Sequence, residues 1–344
     1  MLARTHILRN GASLPVTPLG LGSAPLGDLF DKLDETVAHA TVAGAFAAGI
    51  RVFDTSPHYG NGLAEARCGA ALRTLPRDAI TVSTKVGRVM DPFAPPVAQA
   101  GDVASPGFAG GFPHRARFDY SQDGVMRSVE QSLLRTGLGR FDILLIHDCD
   151  VWTQGADHID RVFGEAMDGA YRALDRLRAE GTVGAIGVGV NEADMCERFA
   201  RAGDFDVMML AGRYSLLEQP ALTRFLPLAT EKNIGVLLAG IFNSGILATG
   251  PVPGARYNYA PAPPAVLERV AAIARICDRH GVPLRHAALQ FATVHPAVLS
   301  VVLGAVAPNE VNDAVAAIAA PIPPALWSDL RSAGLLDAAA PTPA

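Results

Sequence analysis

The sequence predicts a (β/α)8 barrel, in which eight parallel strands close into a cylinder that helices surround. Apolar runs alternate with helical patterns eight times along the 344 residues, which is enough chain for such a barrel. The alternative is a doubly wound open sheet, but no GxGxxG motif opens the first helix, which disfavours the dinucleotide-binding form of that fold. No linker interrupts the pattern, so we expect one domain over residues 1–340 and a loose tail over 341–344.

A β-hairpin is predicted at the start of the chain. Residues 6–16 alternate around Asn10-Gly11, a dipeptide typical of a two-residue turn. We expect this hairpin to close the bottom of the barrel. The eight barrel strands are predicted at residues 19–24, 50–54, 80–85, 141–148, 183–190, 205–210, 234–239 and 299–303.

Helical patterns occupy most of the intervals between these strands. Asp34 is a predicted N-cap, Asp123 is a plausible one for the helix that begins near Ser121, and Gly181 is expected to end a long amphipathic helix. The predicted helices lie at about 34–48, 64–73, 121–134, 160–180, 192–202, 220–232, 265–280, 283–294 and 308–319. Two Pro- and Gly-rich stretches, 88–118 and 243–264, are expected to be loops, and the length of the first is typical of a functional lid or a disordered segment.

The composition excludes several function classes. Lysine and arginine total 29 against 34 acidic residues, a net charge of −5, which offers no basic surface for nucleic acid or an anionic membrane. The start of the chain lacks the apolar segment of a signal peptide, and no apolar run approaches the ~20 residues of a membrane span. The four cysteines lie far apart without a CxxC pair, as suits a reducing compartment. We therefore expect a cytoplasmic protein, whose oligomeric state the sequence leaves open.

Ionisable and amide residues follow several predicted strands. Asp54, Lys85, His147 and Asn191 each come at or just after a strand's carboxyl end, and Tyr59 lies in the loop that follows Asp54. In a (β/α)8 barrel the carboxyl ends of the strands meet at the active site. A Lys85–Asp54 pair would lower the pKa of Tyr59 from ~10 toward neutrality, and His147 could orient a substrate oxygen.

Each of these residues also has an ordinary structural interpretation. Asp54 could cap a turn, Tyr59 could be a half-buried aromatic residue, Lys85 could lie at a solvated edge and His147 could be a satisfied core histidine. Their convergence on one face of the barrel favours the proton-transfer site. The histidines lack HxxxH or HxH spacing, so no metal site is predicted.

The stretch Phe53-Asp54-Thr55-Ser56-Pro57-His58-Tyr59-Gly60, with Glu65 and Gly69 after it, resembles the most specific signature of the aldo-keto reductase family. Similar stretches cover nearly the whole chain, at 19–24, 50–70, 80–87, 141–148, 184–191, 234–247 and 299–315. The resemblance implies a catalytic tetrad in which Tyr59 is the general acid/base. Lys85 and Asp54 would tune the pKa of Tyr59, and His147 would position the reacting oxygen.

The resemblance also implies a nicotinamide cofactor across the barrel mouth. Asn191 would hold the nicotinamide amide, and Gly22 and Ser23 would lie under the cofactor. The family often has Gln and an aromatic residue where this chain has Ala211 and Ala239, so Phe242 would take over the stacking. The cofactor residues implied in this way are Gly22, Ser23, Asp54, Asn191, Phe242, Gly304, Ala305, Glu310 and Asp313.

The choice between NAD and NADP is predicted from residues 304–313. In the family, basic residues in this stretch bind the 2′-phosphate of NADP. Here the stretch contains no lysine or arginine, and it carries Glu310 and Asp313. A phosphate needs cationic donors, whereas a carboxylate suits a ribose hydroxyl. NAD is therefore the expected cofactor, and NADP is possible but less favoured.

Four further stretches, 117–121, 146–148, 211–217 and 241–247, resemble the aldose 1-dehydrogenase branch of the family. The resemblance implies oxidation of a sugar hemiacetal, such as L-fucose, D-arabinose or L-galactose, at C1 to the lactone. The expected substrate contacts are Tyr59, His147 and Trp152. Oxidation of pyridoxal to its lactone is the alternative within the enzyme class. A non-catalytic regulator that binds the cofactor is the alternative from another class.

Overall fold

Eight parallel strands form a closed barrel in the computed structural model of the chain, which describes residues 3–8, 11–96 and 108–343. In chain order the strands are β1 (Arg4–Ile7), β2 (Ser13–Val16), β3 (Leu19–Gly22), β4 (Val52–Asp54), β5 (Thr81–Val86), β6 (Arg88–Asp91), β7 (Arg115–Phe118), β8 (Ile143–His147), β9 (Ala185–Val190), β10 (Val207–Ala211), β11 (Gly235–Ala239), β12 (Arg256–Tyr257), β13 (Ala260–Pro261) and β14 (Val298–Gly304). The barrel order is β3-β4-β5-β8-β9-β10-β11-β14, and β14 pairs with β3 to close it. The predicted (β/α)8 barrel is confirmed.

Each barrel strand is buried on both faces, which explains why the sequence shows continuous apolar runs. In β8, Ile143 and Leu145 belong to an apolar cluster inside the barrel. Leu144 and Ile146 belong to the larger cluster between the strands and the surrounding helices. This alternation, with a period of two residues, aims the side chain of His147 at the end of β8 toward the barrel mouth.

The hairpin of β1 and β2 lies at the amino ends of the barrel strands. Leu8 and Leu14 join the apolar cluster inside the barrel. Thr81 Oγ1, at the start of β5, donates to Pro15 O over 2.7 Å, and Arg4 Nη2 donates to Val298 O at the start of β14 over 3.2 Å. The hairpin thus closes the bottom of the barrel as predicted, while Asn10 of its turn lies outside the described residues.

Thirteen α-helices can be followed in the described part of the chain. They are α1 (Glu35–Ala47), α2 (Leu63–Leu72), α3 (Gln122–Thr136), α4 (Val151–Gln154), α5 (Ile159–Glu165), α6 (Arg172–Ala179), α7 (Ala193–Ala202), α8 (Phe225–Glu231), α9 (Ile246–Thr249), α10 (Pro264–Arg279), α11 (Leu284–Thr293), α12 (Pro308–Ala319) and α13 (Pro324–Ser332). A π-helical segment, Ala166–Tyr171, joins α5 to α6. These two helices and the segment form the helix predicted at 160–180, which ends before Gly181 at φ +72°.

Of the two residues predicted as helix N-caps, Asp34 is confirmed and Asp123 is not. Asp34 caps α1, because its carboxylate accepts hydrogen bonds from the backbone N–H groups of Thr36 and Val37. The expectation for Asp123 is wrong. Ser121 caps α3 instead, and its Oγ accepts from the N–H of Gly124 over 3.1 Å.

The two stretches predicted as loops contain short regular elements. Within 88–118, β6 and β7 form an antiparallel ribbon, and residues 97–107 lie outside the described part. Within 243–264, α9 is followed by the small β12–β13 ribbon. Helix α13 was not predicted; within it, Arg331 Nη2 donates to Ala340 O and Thr342 Oγ1 further along the chain. Among the described residues, no helix combines the length and apolarity needed to cross a membrane.

Candidate active site

A cavity of about 630 Å³ opens at the carboxyl ends of the barrel strands. It extends from the ends of β4, β5 and β8 to the loop between β14 and α12. Most of the residues that the sequence singled out line it. They are Gly22, Asp54, Tyr59, Lys85, His147, Trp152, Asn191, Phe242, Gly304, Ala305 and Glu310.

A buried ion pair lies at the floor of this cavity. Lys85 Nζ donates to Asp54 Oδ1 over 2.9 Å, to Asp54 Oδ2 over 2.8 Å and to the carbonyl oxygen of Thr55 over 2.8 Å. Ser83 Oγ donates to Asp54 Oδ1 over 2.6 Å. Burial raises the pKa of the Asp54 carboxyl, and Lys85 and Ser83 act in the opposite direction. An ammonium group has three donors, and Lys85 therefore uses all of them on Asp54 and Thr55.

Tyr59 is held by a close contact between two stretches of main chain. Gly60 has φ +60°, and a Cβ on it would lie 2.4 Å from Gly27 O. A Cβ on Gly27 would lie 2.6 Å from the carbonyl carbon of Tyr59. Only glycine fits at both positions, so the loop after β3 fixes the backbone from which the phenol projects.

The pKa of Tyr59 differs from the sequence-based expectation. Lys85 Nζ lies 5.0 Å from the centroid of the Tyr59 ring, as predicted for a nearby cation. However, burial, followed by the negative charges of Asp54 and Asp148, raises the pKa of the phenol well above its ordinary value. The expected lowering of the pKa toward neutrality is therefore not found, because burial and the two carboxylates outweigh the positive charge of Lys85.

His147 lies beside Tyr59, and their rings meet edge to face with centroids 6.1 Å apart. Its Nδ1 lies 3.2 Å from Arg88 Nη1 and 3.3 Å from Ser56 Oγ. Burial, then the positive charges of Arg88 and Lys85, lower the pKa of His147 well below its ordinary value. The imidazole is therefore neutral at physiological pH and can offer one N–H donor to a ligand oxygen.

Arg88, Asp148 and Asp150 were not among the predicted site residues, although Asp148 belongs to the stretch 146–148 that carried part of the family resemblance. Asp148 is the residue after His147 and Asp150 follows two residues later, so both could have been noticed as acids at the end of a strand. Arg88 offered no such signal, because it stands in a stretch that was predicted to be irregular.

Asn191 is oriented by a buried carboxylate. Asp150 Oδ2 accepts from the backbone N–H of Asn191 over 2.9 Å and from its Nδ2 over 3.2 Å. Asp150 Oδ1 accepts from the N–H of Thr153 and so caps α4. Trp152, the second residue of that helix, borders the same end of the cavity.

The far end of the cavity is formed by the start of α12. No side chain among the described residues caps this helix, whose N-cap residue is Ala307. Glu310 accepts a hydrogen bond from the N–H of Val306 over 2.9 Å, which folds its carboxylate back over the turn. A Cβ on Gly304 would lie 2.8 Å from Pro25 Cγ, so a side chain there would displace Pro25 from the cavity wall. Glu310 therefore places a carboxylate at this end of the cavity, which can accept a hydrogen bond from a hydroxyl and repels a phosphate.

Two residues predicted to contact the cofactor are not part of the described cavity lining. Ser23 is fully buried, and its N–H donates to Asp54 O over 2.9 Å, which ties the loop after β3 to β4. Asp313 forms an ion pair with Arg285, with Nε and Oδ2 2.8 Å apart, on an outward-facing part of α12. The structure therefore does not bring Ser23 or Asp313 to the cavity.

The fold and the cavity together define a barrel enzyme whose ionisable residues lie at the strand ends, in a cavity that extends from β4, β5 and β8 to the start of α12. Residues 18–334 match the Aldo/keto reductase family. The chain belongs to the aldo-keto reductase family and is an NAD(P)-dependent oxidoreductase that acts on CH–OH groups. In the described part of the chain, no group of His, Cys, Asp and Glu is arranged to hold a metal ion.

Two curated relatives are similar over almost their full lengths. D-threo-aldose 1-dehydrogenase of Pseudomonas sp is 40% identical over 343 residues, covering 99% of this chain and 100% of the relative. Pyridoxal 4-dehydrogenase of Microbacterium luteolum is 39% identical over 331 residues, covering 94% and 95%. Among solved structures, an aldo-keto reductase from Bacillus halodurans in its holo form is similar in fold, with a TM-score of 0.73 and 22% identity over 98% of this chain and 97% of that one.

Proposed function

We propose that the protein oxidises the cyclic hemiacetal of an aldose at C1 and releases the lactone. L-Fucose, D-arabinose and L-galactose are the first substrates to test. The observation that carries the proposal is the convergence of Tyr59, His147 and the Lys85–Asp54 pair on one cavity. The 40% identity to a D-threo-aldose 1-dehydrogenase supports the choice of substrate class.

In this mechanism the chain's own residues bind, orient and deprotonate the hemiacetal. The neutral His147 donates a hydrogen bond to the anomeric oxygen and fixes its position. Tyr59 Oη takes the proton of the anomeric hydroxyl. The positive charge of Lys85, held 5.0 Å from the phenol ring, stabilises the tyrosinate that accepts this proton. Trp152 and Phe242 border the space around the sugar ring.

The residues present also fit a nicotinamide dinucleotide. The start of α12 would lie against its adenosine ribose, where the Glu310 carboxylate can accept a hydrogen bond from a hydroxyl, and Asn191 would hold its carboxamide. When bound, the oxidised nicotinamide supplies the acceptor for the hydride that leaves C1. The overall reaction is thus hemiacetal plus NAD⁺ giving lactone, NADH and a proton. We propose NAD as the preferred cofactor, because residues 304–313 provide no cation for a 2′-phosphate.

Pyridoxal is the second candidate substrate. It also forms a cyclic hemiacetal whose oxidation gives a lactone, so the same residues would carry out the same steps. The 39% identity to a pyridoxal 4-dehydrogenase favours this candidate specifically. We do not propose a non-catalytic regulatory role, because the family match and the similarity to two dehydrogenases support an enzyme.

The test is formation of NADH while a panel of aldoses and pyridoxal is offered with NAD⁺. We expect at least one aldose to be oxidised, and NMR should identify the lactone as the first product, with a chelator present throughout. Activity abolished by the chelator would refute the metal-free mechanism. Reduction of aldehydes without oxidation of any hemiacetal would refute the proposed function. The four buried, unpaired cysteines agree with the cytoplasmic location that we also propose.

A further inference from the structure

A buried ion pair lies next to His147 and has no role in the mechanism above. Arg88 Nη1 lies 2.6 Å from Asp148 Oδ2, and the two side chains are only 4% and 10% exposed. Arg88 is the first residue of the β6–β7 ribbon, and its guanidinium lies 4.2 Å from the ring centroid of Phe118 on the partner strand. Asp148 has φ +53°, a left-handed conformation that is uncommon for residues other than glycine, although aspartate adopts it more often than most. Such a conformation is kept where the surroundings over-determine it, often at functional sites.

The contact with Arg88 fixes which nitrogen of His147 carries the proton. A guanidinium group can only donate hydrogen bonds, so Nδ1 of His147, 3.2 Å from Arg88 Nη1, must be the acceptor. A neutral imidazole then carries its hydrogen on Nε2. Burial and the charge of Arg88, which lower the pKa of His147, keep the ring in this neutral form. Arg88 therefore sets Nε2–H as the donor that is available to a ligand.

Asp148 places an acceptor beside this donor. Its Oδ1 lies 3.3 Å from His147 Nε2, and both residues line the cavity. A hydroxyl that accepts from Nε2–H therefore lies close to a carboxylate oxygen that can accept from a second hydroxyl. Hydroxyls on adjacent carbons are separated by about a hydrogen-bond length and match this donor–acceptor pair.

We propose that Asp148 determines specificity by accepting a hydrogen bond from the hydroxyl on the carbon next to the reacting carbon, and that Arg88 is a positioning residue for Asp148 and His147. This inference rests on the proposed function and narrows it to aldoses that carry a C2 hydroxyl. The hemiacetal of pyridoxal has an aromatic carbon without a hydroxyl at that place. The protein should therefore favour aldoses over pyridoxal.

The first test uses the unmodified protein. Whichever aldose of the panel has the highest kcat/KM is compared with its 2-deoxy counterpart; for D-arabinose that counterpart is 2-deoxy-D-ribose. We expect kcat/KM to be lower for the deoxy sugar by at least about tenfold, because Asp148 Oδ1 would be left without the hydroxyl that donates to it. Equal kcat/KM values would overturn the proposal while leaving the aldose dehydrogenase function intact. Oxidation of no aldose at all would instead refute the proposed function.

The second test uses Asp148→Asn with NAD⁺ and the same two sugars. The substitution should lower kcat/KM for the parent aldose much more than for the deoxy sugar, which brings their ratio to within about threefold. A purely structural role would lower both values equally and leave the ratio unchanged, which would overturn the proposal. Asp91→Asn, at the other end of β6, is the matched control and should keep the wild-type ratio.

Arg88 is tested with a conservative and a non-conservative variant. Arg88→Lys keeps a cation that can pair with Asp148, whereas Arg88→Met removes both the charge and the donors. We expect the preference for the parent sugar to be retained in part by Arg88→Lys and lost in Arg88→Met. Arg117→Met, on the partner strand with an exposed side chain, is the control for loss of an arginine from the ribbon. If the two Arg88 variants lose the preference for the parent aldose equally, Arg88 has no positioning role. If a variant fails to fold, the comparison of the parent and deoxy sugars with the wild-type protein still decides the proposal for Asp148.

Discussion

Lys85 and Asp54 form a closed pair beneath Tyr59. Both carboxylate oxygens of Asp54 lie within 2.9 Å of Lys85 Nζ, and the third ammonium donor goes to Thr55 O. No donor of Lys85 is left for the phenol, which stands over the cation at 5.0 Å from ring centroid to Nζ. Lys85 therefore acts on Tyr59 through its charge, and Asp54 offsets part of that charge.

Replacement of Tyr59 by phenylalanine should remove the group that accepts the substrate proton. We expect Tyr59→Phe to lower kcat for aldose oxidation by ~10²–10⁴, with the Kd for NAD⁺ nearly unchanged. Steady-state kinetics and a fluorescence titration with the cofactor measure the two quantities. Turnover near the wild-type value would contradict the assigned role of Tyr59.

The raised pKa of Tyr59 predicts how oxidation depends on pH. Oxidation requires the deprotonated phenol, so a pKa well above the ordinary value means that the reactive form increases with pH throughout the neutral and alkaline range. We expect kcat/KM for the aldose to rise steadily from about pH 6 to about pH 10. Lys85→Met removes the cation and should lower the rate further at every pH in this range. A plateau reached near neutrality would show that the bound cofactor or substrate lowers the pKa of Tyr59.

The cofactor preference should follow from the charge at the start of α12. Glu310 lines the cavity, and we expect kcat/KM to favour NAD⁺ over NADP⁺ by about tenfold or more, which corresponds to ~1.4 kcal/mol. Glu310→Arg should narrow the difference, because it supplies a cation for the 2′-phosphate. Asp313→Asn is the control, since Asp313 is paired with Arg285 away from the cavity. Equal use of NADP⁺ by the wild type would point to Lys32, which also lines the cavity.

Two helix glycines should respond in opposite ways to alanine. A Cβ on Gly69 of α2 would lie 2.1 Å from Thr136 O at the end of α3, a backbone atom that cannot move away cheaply. Gly69→Ala should therefore destabilise the fold by about 1–3 kcal/mol or more. In α1, a Cβ on Gly44 would meet Pro308 Cβ at an ordinary 3.4 Å, so Gly44→Ala should be neutral or stabilising by up to ~1 kcal/mol. Urea unfolding measures both, and a larger loss for Gly44→Ala would contradict the packing of these helices.

Stability should fall as the pH drops below about 6.5, the ordinary pKa of histidine. Burial, followed by the charge of Arg88, lowers the pKa values of His58 and His147 well below this value. At pH values between the folded and the unfolded pKa, the unfolded chain binds more protons than the native state. Each unit by which the pH is lowered in this range therefore reduces the free energy of unfolding by up to ~1.4 kcal/mol for each histidine. Urea titrations at several pH values measure the slope. His58→Phe should reduce it, and a slope unchanged by this substitution would contradict a neutral buried His58.

The strands could be predicted because each is an apolar run between polar residues. The candidate site residues could be predicted because they lie at the ends of these apolar runs. Neither signal depends on contacts between distant residues. The β6–β7 ribbon does depend on them: the backbone of Met90 exchanges two hydrogen bonds with the side chain of Gln131 in α3, 2.8 and 3.0 Å long. Nothing near Met90 in the sequence indicates this partner, so the ribbon was predicted as irregular chain.

Electrostatics was the other part that sequence could not provide. The residue types correctly predicted a cation beside Tyr59, but the direction in which the pKa of Tyr59 shifts depends on burial and on Asp54 and Asp148. In the same way, the charge of residues 304–313 was evident, yet Asp313 proved to be engaged by Arg285, twenty-eight residues away in the chain. Both differences arise from which charges the fold brings together.

The hydrogen bonds between Asp150 and Asn191 have a stereochemical consequence. Because the Asp150 carboxylate accepts from Asn191 Nδ2, the amide cannot rotate, and its Oδ1 is the atom left to meet a ligand. A carbonyl oxygen pairs with the NH2 end of a carboxamide and not with its oxygen. The nicotinamide ring would then enter in one of its two rotational states and present a single face to the sugar. A deuterium carried on C1 of the substrate should accordingly appear on one prochiral position of the reduced cofactor and be absent from the other.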